Sequence, residues 1–203
     1  GLQASFNYTD ADETGLHYVK TGADTLPTIF FVHGSPGSWD AFKIYLMDTA
    51  LLQHFRLISV DRPGFGYSSF GTAFNLEEQS LLINQVIQKE NNQKPVHLVG
   101  HSIGGPVIVH LAQNHPEEFA SLTILAGSIS PYEEPKEYWR YLLMYTPLKI
   151  LMPGAFKPSN DEIIYFNKDL YLTDTMYAAL TMTVTFIHGA TDKFVPVKLQ
   201  QDQ

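Results

Sequence analysis

A serine held between two glycines, Gly100-His101-Ser102-Ile103-Gly104, carries the most chemistry in this sequence. It follows Val96-His97-Leu98-Val99, a mostly apolar run that reads as a short buried strand. It precedes Val107-Ile108-Val109-His110-Leu111-Ala112, which begins a helical run. A G-x-S-x-G between strand and helix is a nucleophile elbow. The serine must stand at the tip of a very sharp turn, with its hydroxyl clear of its own backbone. Gly100 and Gly104 flank it because a Cβ at either position would press on the neighbouring strand or helix. Pro106 falls in the first helical turn, where a missing N–H had no partner anyway. The chemistry served is attack by the serine oxygen once a base has taken its proton. A phosphate-binding turn is the competing reading of a glycine-rich strand-to-helix junction. It fails because no third glycine and no Lys-Ser/Thr follows in phosphate-loop register.

The elements that must position this serine alternate along the chain. Ser5-Phe6-Asn7-Tyr8 and Leu16-His17-Tyr18-Val19 alternate like hairpin strands, with turn residues between them. Thr28-Ile29-Phe30-Phe31-Val32 is an apolar strand of the kind buried on both faces, and it ends in His33-Gly34-Ser35-Pro36-Gly37-Ser38. Helical spacing follows around Phe42-Leu46 and Leu51-Leu52. Phe55-Arg56-Leu57-Ile58-Ser59-Val60 is the next strand and closes with Asp61-Arg62-Pro63-Gly64-Phe65-Gly66-Tyr67-Ser68. Asn75, with Glu78 three residues on, predicts an N-capped helix carrying Leu81, Leu82, Val86 and Ile87 and ending at Asn91-Asn92. The elbow strand comes next, then its helix to about Phe119, then the strand Leu122-Thr123-Ile124-Leu125. A Tyr-, Pro-, Met- and Trp-rich stretch from about Ser130 to Leu180 reads as short helices inserted over the sheet. Val184-Thr185-Phe186-Ile187 is one more strand, running into His188-Gly189-Ala190-Thr191-Asp192. The alternation predicts an α/β fold, a mostly parallel sheet with helices on both faces.

Composition sets the outer bounds. A chain of 203 residues with 44% apolar and 17% charged residues is long and apolar enough for one domain with a sizeable core. A net charge of −8 argues against a nucleic-acid partner, which calls for clustered Lys and Arg. The absence of cysteine excludes disulfides, thiolate catalysis and Cys-ligated zinc. The histidines show no H-x-x-x-H spacing on a helix, so no metal site and no cofactor is expected. No apolar run approaches membrane-span length. The chain starts at Gly1 rather than Met, which fits removal of a signal or tag. The compartment therefore stays open between cytoplasmic and periplasmic or secreted, and the oligomeric state is not readable.

Four stretches together resemble the α/β-hydrolase superfamily. They are His33-Gly34-Ser35-Pro36-Gly37, Asp61-Arg62-Pro63-Gly64-Phe65-Gly66-Tyr67-Ser68, Gly100-His101-Ser102-Ile103-Gly104-Gly105, and His188-Gly189-Ala190-Thr191-Asp192-Lys193-Phe194-Val195-Pro196. They lie in the family's order and spread over nearly the whole chain. The resemblance implies a core formed by residues 1–129 and 181–203, with residues 130–180 as a cap between the sixth and seventh strands. It implies Ser102 as nucleophile and Asp192 as the triad acid orienting a histidine. The position after the sixth strand, Ala126-Gly127-Ser128, offers no carboxylate in its place. The oxyanion would be received by the backbone N–H groups of Ile103 and Ser35. Pro36 has no N–H to give. In the cap, Trp139 and Met144 are expected to line a substrate pocket, by their large, adaptable apolar surface. His101 is read as a packing residue, His33 as a support for the oxyanion loop, and Asp61 and Arg62 as pins of their own loop.

The pattern breaks at its end. The family's catalytic histidine lies beyond the acid, past another helix and strand. No histidine follows His188, and Asp192 stands eleven residues from the end (203 − 192). The expectation is a chain incomplete at its C-terminus, with a second gap open near residues 180–183. The function implied is a serine hydrolase that cleaves a small carboxylic ester through an acyl-enzyme. Amide, proline-peptide or C–C bond hydrolysis uses the same parts. Haloalkane dehalogenases and epoxide hydrolases place an Asp where Ser102 stands. A non-catalytic small-molecule binder of the same fold is the alternative of another class.

Overall fold

In the computed structural model, residues 6–9, 15–127, 152, 154–173 and 180–189 are described. Seven strands among them make one sheet in the order β1-β2-β4-β3-β5-β6-β7. The hairpin pairs β1 (Asn7–Thr9) with β2 (Tyr18–Thr21), and β2 lies antiparallel on β4 (Arg56–Val60). From there the sheet is parallel: β4, β3 (Thr28–Val32), β5 (Val96–His101), β6 (Ser121–Leu125) and β7 (Thr183–Ile187). This is the mostly parallel sheet that the alternation predicts.

Each face has its own core, because side chains alternate along a strand. Phe30, Val32, Ile58, Val60 and Leu98 point to one face. They meet Ile83, Val86 and Ile87 of α3 (Leu76–Lys89) and Val107, Ile108 and Leu111 of α4 (Gly104–Asn114). Phe31 and Leu57 point to the other face. They meet Phe42 of a 3₁₀ turn (Trp39–Phe42), Leu46 of α1 (Lys43–Leu46) and Leu52 of α2 (Thr49–Leu52). Asn75 caps α3 as expected. Its side-chain oxygen accepts from the Glu78 N–H at 2.8 Å, and Glu78 Oε2 accepts from the Asn75 N–H at 3.1 Å.

The hairpin strands lie one to two residues later than expected, and two helices differ as well. The elbow helix ends at Asn114, short of Phe119. The insert contains α5 (Phe156–Thr173), an 18-residue helix, where short helices are expected. Pro158 sits in its first turn, where proline is tolerated. Beyond it Ile163, Phe166 and Leu170 recur at helical spacing and pack on the α3/α4 face of the sheet. α5 lies between β6 and β7, where the cap is expected. Trp139, Met144 and Asp192 lie outside the described residues. No helix among the described residues is long and apolar enough to cross a membrane.

Candidate active site

The site is built where β3, β4 and β5 end. Ser102 leaves β5 with φ 52, a left-handed conformation that costs an L-residue about 1–2 kcal/mol. Its N–H donates to Leu125 O at 2.9 Å, and its carbonyl accepts from the Gly105 N–H at 2.9 Å, so the turn is fixed on both sides. A Cβ on Gly100 would overlap the Gly104 carbonyl oxygen, and one on Gly104 would overlap the Val32 carbonyl oxygen. The two glycines therefore let helix, elbow strand and β3 close on one another, as their spacing predicts.

The loop after β3 comes up against this turn. A Cβ on Gly34 would lie 3.0 Å from Ser102 Cβ and 2.9 Å from His101 Nδ1. Among the described residues, no acceptor takes the N–H of Ser35 or that of Ile103. Ile103 is buried and Ser35 half-buried. Backbone donors in such places normally have partners. Two without them, one next to a strained serine in the chain and one in the loop against it, are an arrangement that can receive a developing negative charge.

Buried polar groups hold the loop from beneath. His33 is fully buried; its Nδ1 lies 2.6 Å from Gly34 O, and its Nε2 accepts from the Arg62 N–H at 3.0 Å. Since Nε2 accepts, Nδ1 carries the proton and donates it to Gly34 O. Burial, then the charge of Arg62, hold its pKa well below the ordinary histidine value. His33 is thus a neutral strut with its lone pair in use, not a base. Arg62, also fully buried, donates from Nη2 to Gly34 O at 3.0 Å and from Nη1 to Gln79 Oε1 at 2.7 Å. It forms an ion pair with Glu162 of α5, with Nη2 3.2 Å from Oε2 and a shorter contact from Nη1 to Oε1. Ser35 Oγ bonds Ser159 Oγ, one turn earlier on α5, at 2.9 Å.

Asp61 is the second hub. Its carboxylate accepts from the backbone N–H groups of Trp39 (2.7 Å) and Tyr67 (2.9 Å) and lies 2.8 Å from His17 Nδ1. It pins its own loop, as the sequence implies, and also ties that loop to the hairpin and the 3₁₀ turn. His101 is exposed at the end of β5, with its ring beside Gly34. His188 is half-buried just after β7. No group of three or more His, Asp or Glu side chains among the described residues could hold a metal ion.

Sequence reasoning passes over Glu162, Ser159, Gln79 and His17. The available signal is weak but real. Glu162 shares a helical stripe with Phe166 and Leu170, and a carboxylate on an apolar stripe needs a partner.

A family model described as alpha/beta hydrolase fold matches residues 27–150. A pimeloyl-[acyl-carrier protein] methyl ester esterase of Vibrio vulnificus is 37% identical over 127 residues, covering 63% of this chain and 46% of its own length. Epoxide hydrolase 1 of Caenorhabditis elegans is 29% identical over 113 residues, covering 54% of this chain and 27% of its own. The chain thus spans less than half the length of these curated relatives. Among solved structures, the thioesterase domain from the curacin biosynthetic pathway superposes with a TM-score of 0.74 at 18% identity, covering 99% of this chain and 88% of that one. At that identity the likeness is one of fold.

Proposed function

This chain belongs to the α/β-hydrolase family, and we propose that it is a serine hydrolase cleaving a small carboxylic ester through an acyl-enzyme intermediate. One observation carries the reading. Ser102, held at φ 52, lies against a loop whose Ser35 N–H has no partner among the described residues, and the Ile103 N–H next to it in the chain has none among them either. In the reaction proposed, a base takes the Ser102 proton and Oγ attacks the ester carbonyl. The carbonyl oxygen becomes an oxyanion between the two N–H groups. The intermediate collapses, the alcohol leaves with the proton, and water then hydrolyses the acyl-serine. Loss of one such donor costs about 10²–10³-fold in kcat in enzymes of this mechanism. Asp192 is the proposed orienting acid. His33, locked neutral with its Nε2 lone pair in use, is not the base. Trp139 and Met144 are the proposed lining of the acyl or alcohol pocket, on their chemistry alone.

The ester class is supported by the esterase named among the relatives, and by a serine where epoxide hydrolases place an Asp. The test is labelling of the full-length protein with a fluorophosphonate, followed by peptide mapping. Modification at Ser102, lost in Ser102→Ala, is the expected result. No modification of the native protein would refute the hydrolase reading and favour a non-catalytic binder.

A further inference from the structure

We propose that α5 of the insert aims the Ser35 oxyanion donor, with Glu162 and Arg62 as positioning residues. This inference rests on the hydrolase reading above. It starts from the geometry of one peptide unit. In a trans peptide the carbonyl of one residue and the N–H of the next point in opposite directions. The Gly34 carbonyl is drawn into the protein by two donors, His33 Nδ1 at 2.6 Å and Arg62 Nη2 at 3.0 Å. The Ser35 N–H is therefore turned away from Arg62. Whatever sets the guanidinium sets this donor.

Glu162 sets the guanidinium. Arg62 is fully buried, and Glu162, 2% exposed, faces both of its terminal nitrogens. Gln79 braces the pair, accepting from Arg62 Nη1 at 2.7 Å and donating from Nε2 to Glu162 Oε1 at 2.8 Å. A guanidinium is a rigid plane, so two fixed acceptors leave its remaining hydrogens no freedom. The Ser159–Ser35 bond ties the same helix to the same loop residue by an independent route. Two polar ties therefore run from one face of α5 to the residue that supplies the donor, where apolar packing alone would hold a cap in place.

His33 remains as a second donor to Gly34 O, so loss of Arg62 or Glu162 loosens the peptide without freeing it. The expected effect is smaller than losing a donor outright, about tenfold in kcat against about 10²–10³ for a deleted donor. The test compares Glu162→Ala with the double variant Arg62→Met/Glu162→Met in the full-length protein. The double variant is the decisive one, because replacing a buried ion pair by apolar groups of similar volume is often neutral for folding. The readouts are kcat per serine titrated to completion with a fluorophosphonate, KM, inhibition by a boronic acid that forms a tetrahedral adduct, and thermal stability. The proposal expects the double variant to keep near-native thermal stability and KM. Its kcat per titrated serine and its boronate affinity should both fall about tenfold. Native kcat per titrated serine in the double variant would overturn it and leave the pair a purely structural one. Absence of labelling in the native protein would instead refute the hydrolase reading, and this inference with it. Glu162→Ala should lose kcat in the same direction with added loss of stability, since it leaves Arg62 charged and unpaired.

Discussion

The strain at Ser102 has a size that can be measured by comparing two inactive variants. Both Ser102→Ala and Ser102→Gly remove the hydroxyl, so both should lose turnover. They differ in what they do with φ 52. Alanine keeps the left-handed penalty of about 1–2 kcal/mol, whereas glycine does not feel it. Glycine in turn gives the unfolded chain more freedom, which costs about 0.4–1 kcal/mol. The difference leaves Ser102→Gly more stable than Ser102→Ala by about 1 kcal/mol. For a chain of this size that is about 2–4 °C in Tm. The turn is fixed by the Leu125 and Gly105 bonds, so neither variant should relax to another backbone conformation. Urea unfolding followed by circular dichroism, with thermal melts beside it, reads the difference. A glycine variant no more stable than the alanine one would show that the elbow stores no strain, and the reasoning from φ would be refuted.

Three further outcomes follow from named contacts. Gly104→Ala should destabilise by at least about 1–3 kcal/mol, because the new methyl meets the β3 backbone carbonyl of Val32. Gly105→Ala should cost less, because its methyl would meet Ile124 Cγ2 at 3.0 Å, a side chain that can shift, and the Gly127 backbone no nearer than 3.3 Å; equal losses in urea unfolding would contradict this account. Tyr18 is pushed up to about 12, by burial first and then by its bond to Glu90 at 2.7 Å. The folded state therefore keeps a proton that the unfolded chain begins to lose near 10.0, and stability falls as pH rises from there to about 12. Tyr18→Phe should flatten that alkaline decline, and a variant curve parallel to the native one would sink the assignment. Asp61→Ala should destabilise by at least about 1–3 kcal/mol, since it strips the shared acceptor from Trp39, Tyr67 and His17; a loss near zero in thermal melts would argue against the hub.

What was legible in the sequence was local. The elbow glycines, the Asn75–Glu78 box, the hairpin and the doubly buried β3 announce themselves through turn chemistry and periodicity within a few residues. His33 as a loop support was also legible, because a histidine at a strand end beside a glycine has backbone groups within reach. The Arg62–Glu162 pair was not. Its members stand 100 positions apart, and only the packing of α5 against α3 and the β4 end brings them together. The length of α5 was hidden for a related reason. Pro158 and the polar run Ser159-Asn160-Asp161-Glu162 ahead of its apolar residues suggest only short helices until the buried partners of Glu162 and Asp169 are known. Asp169 accepts from the Leu76 N–H at 2.9 Å, so α5 also touches the start of α3.

The two ends of the parallel sheet treat their buried arginines in opposite ways, and the contrast bears on the proposed site without appeal to any relative. At the starting ends of the strands, Arg56 is buried with every nitrogen engaged. Nε and Nη2 bond Thr28 Oγ1, Nη1 reaches Asp24 and Glu90, and Nη2 also meets the Glu90 carbonyl. Lys20 and Tyr18 complete the same cluster on Glu90. Every nitrogen of Arg56 is engaged, which is how a structural network stabilises a fold. At the finishing ends, Arg62 is equally buried, yet its Nε has no partner among the described residues. Beside it stand the unpartnered Ser35 and Ile103 donors and the left-handed Ser102. Each of these features costs stability, and each lies within a few residues of the end of β3, β4 or β5. Open parallel sheets bind ligands at that end, and departures from local consistency are expected at functional sites. The departure from local consistency at Ser102, Ser35, Ile103 and Arg62 supports, beside the motif itself, the proposed site at the finishing ends of β3, β4 and β5.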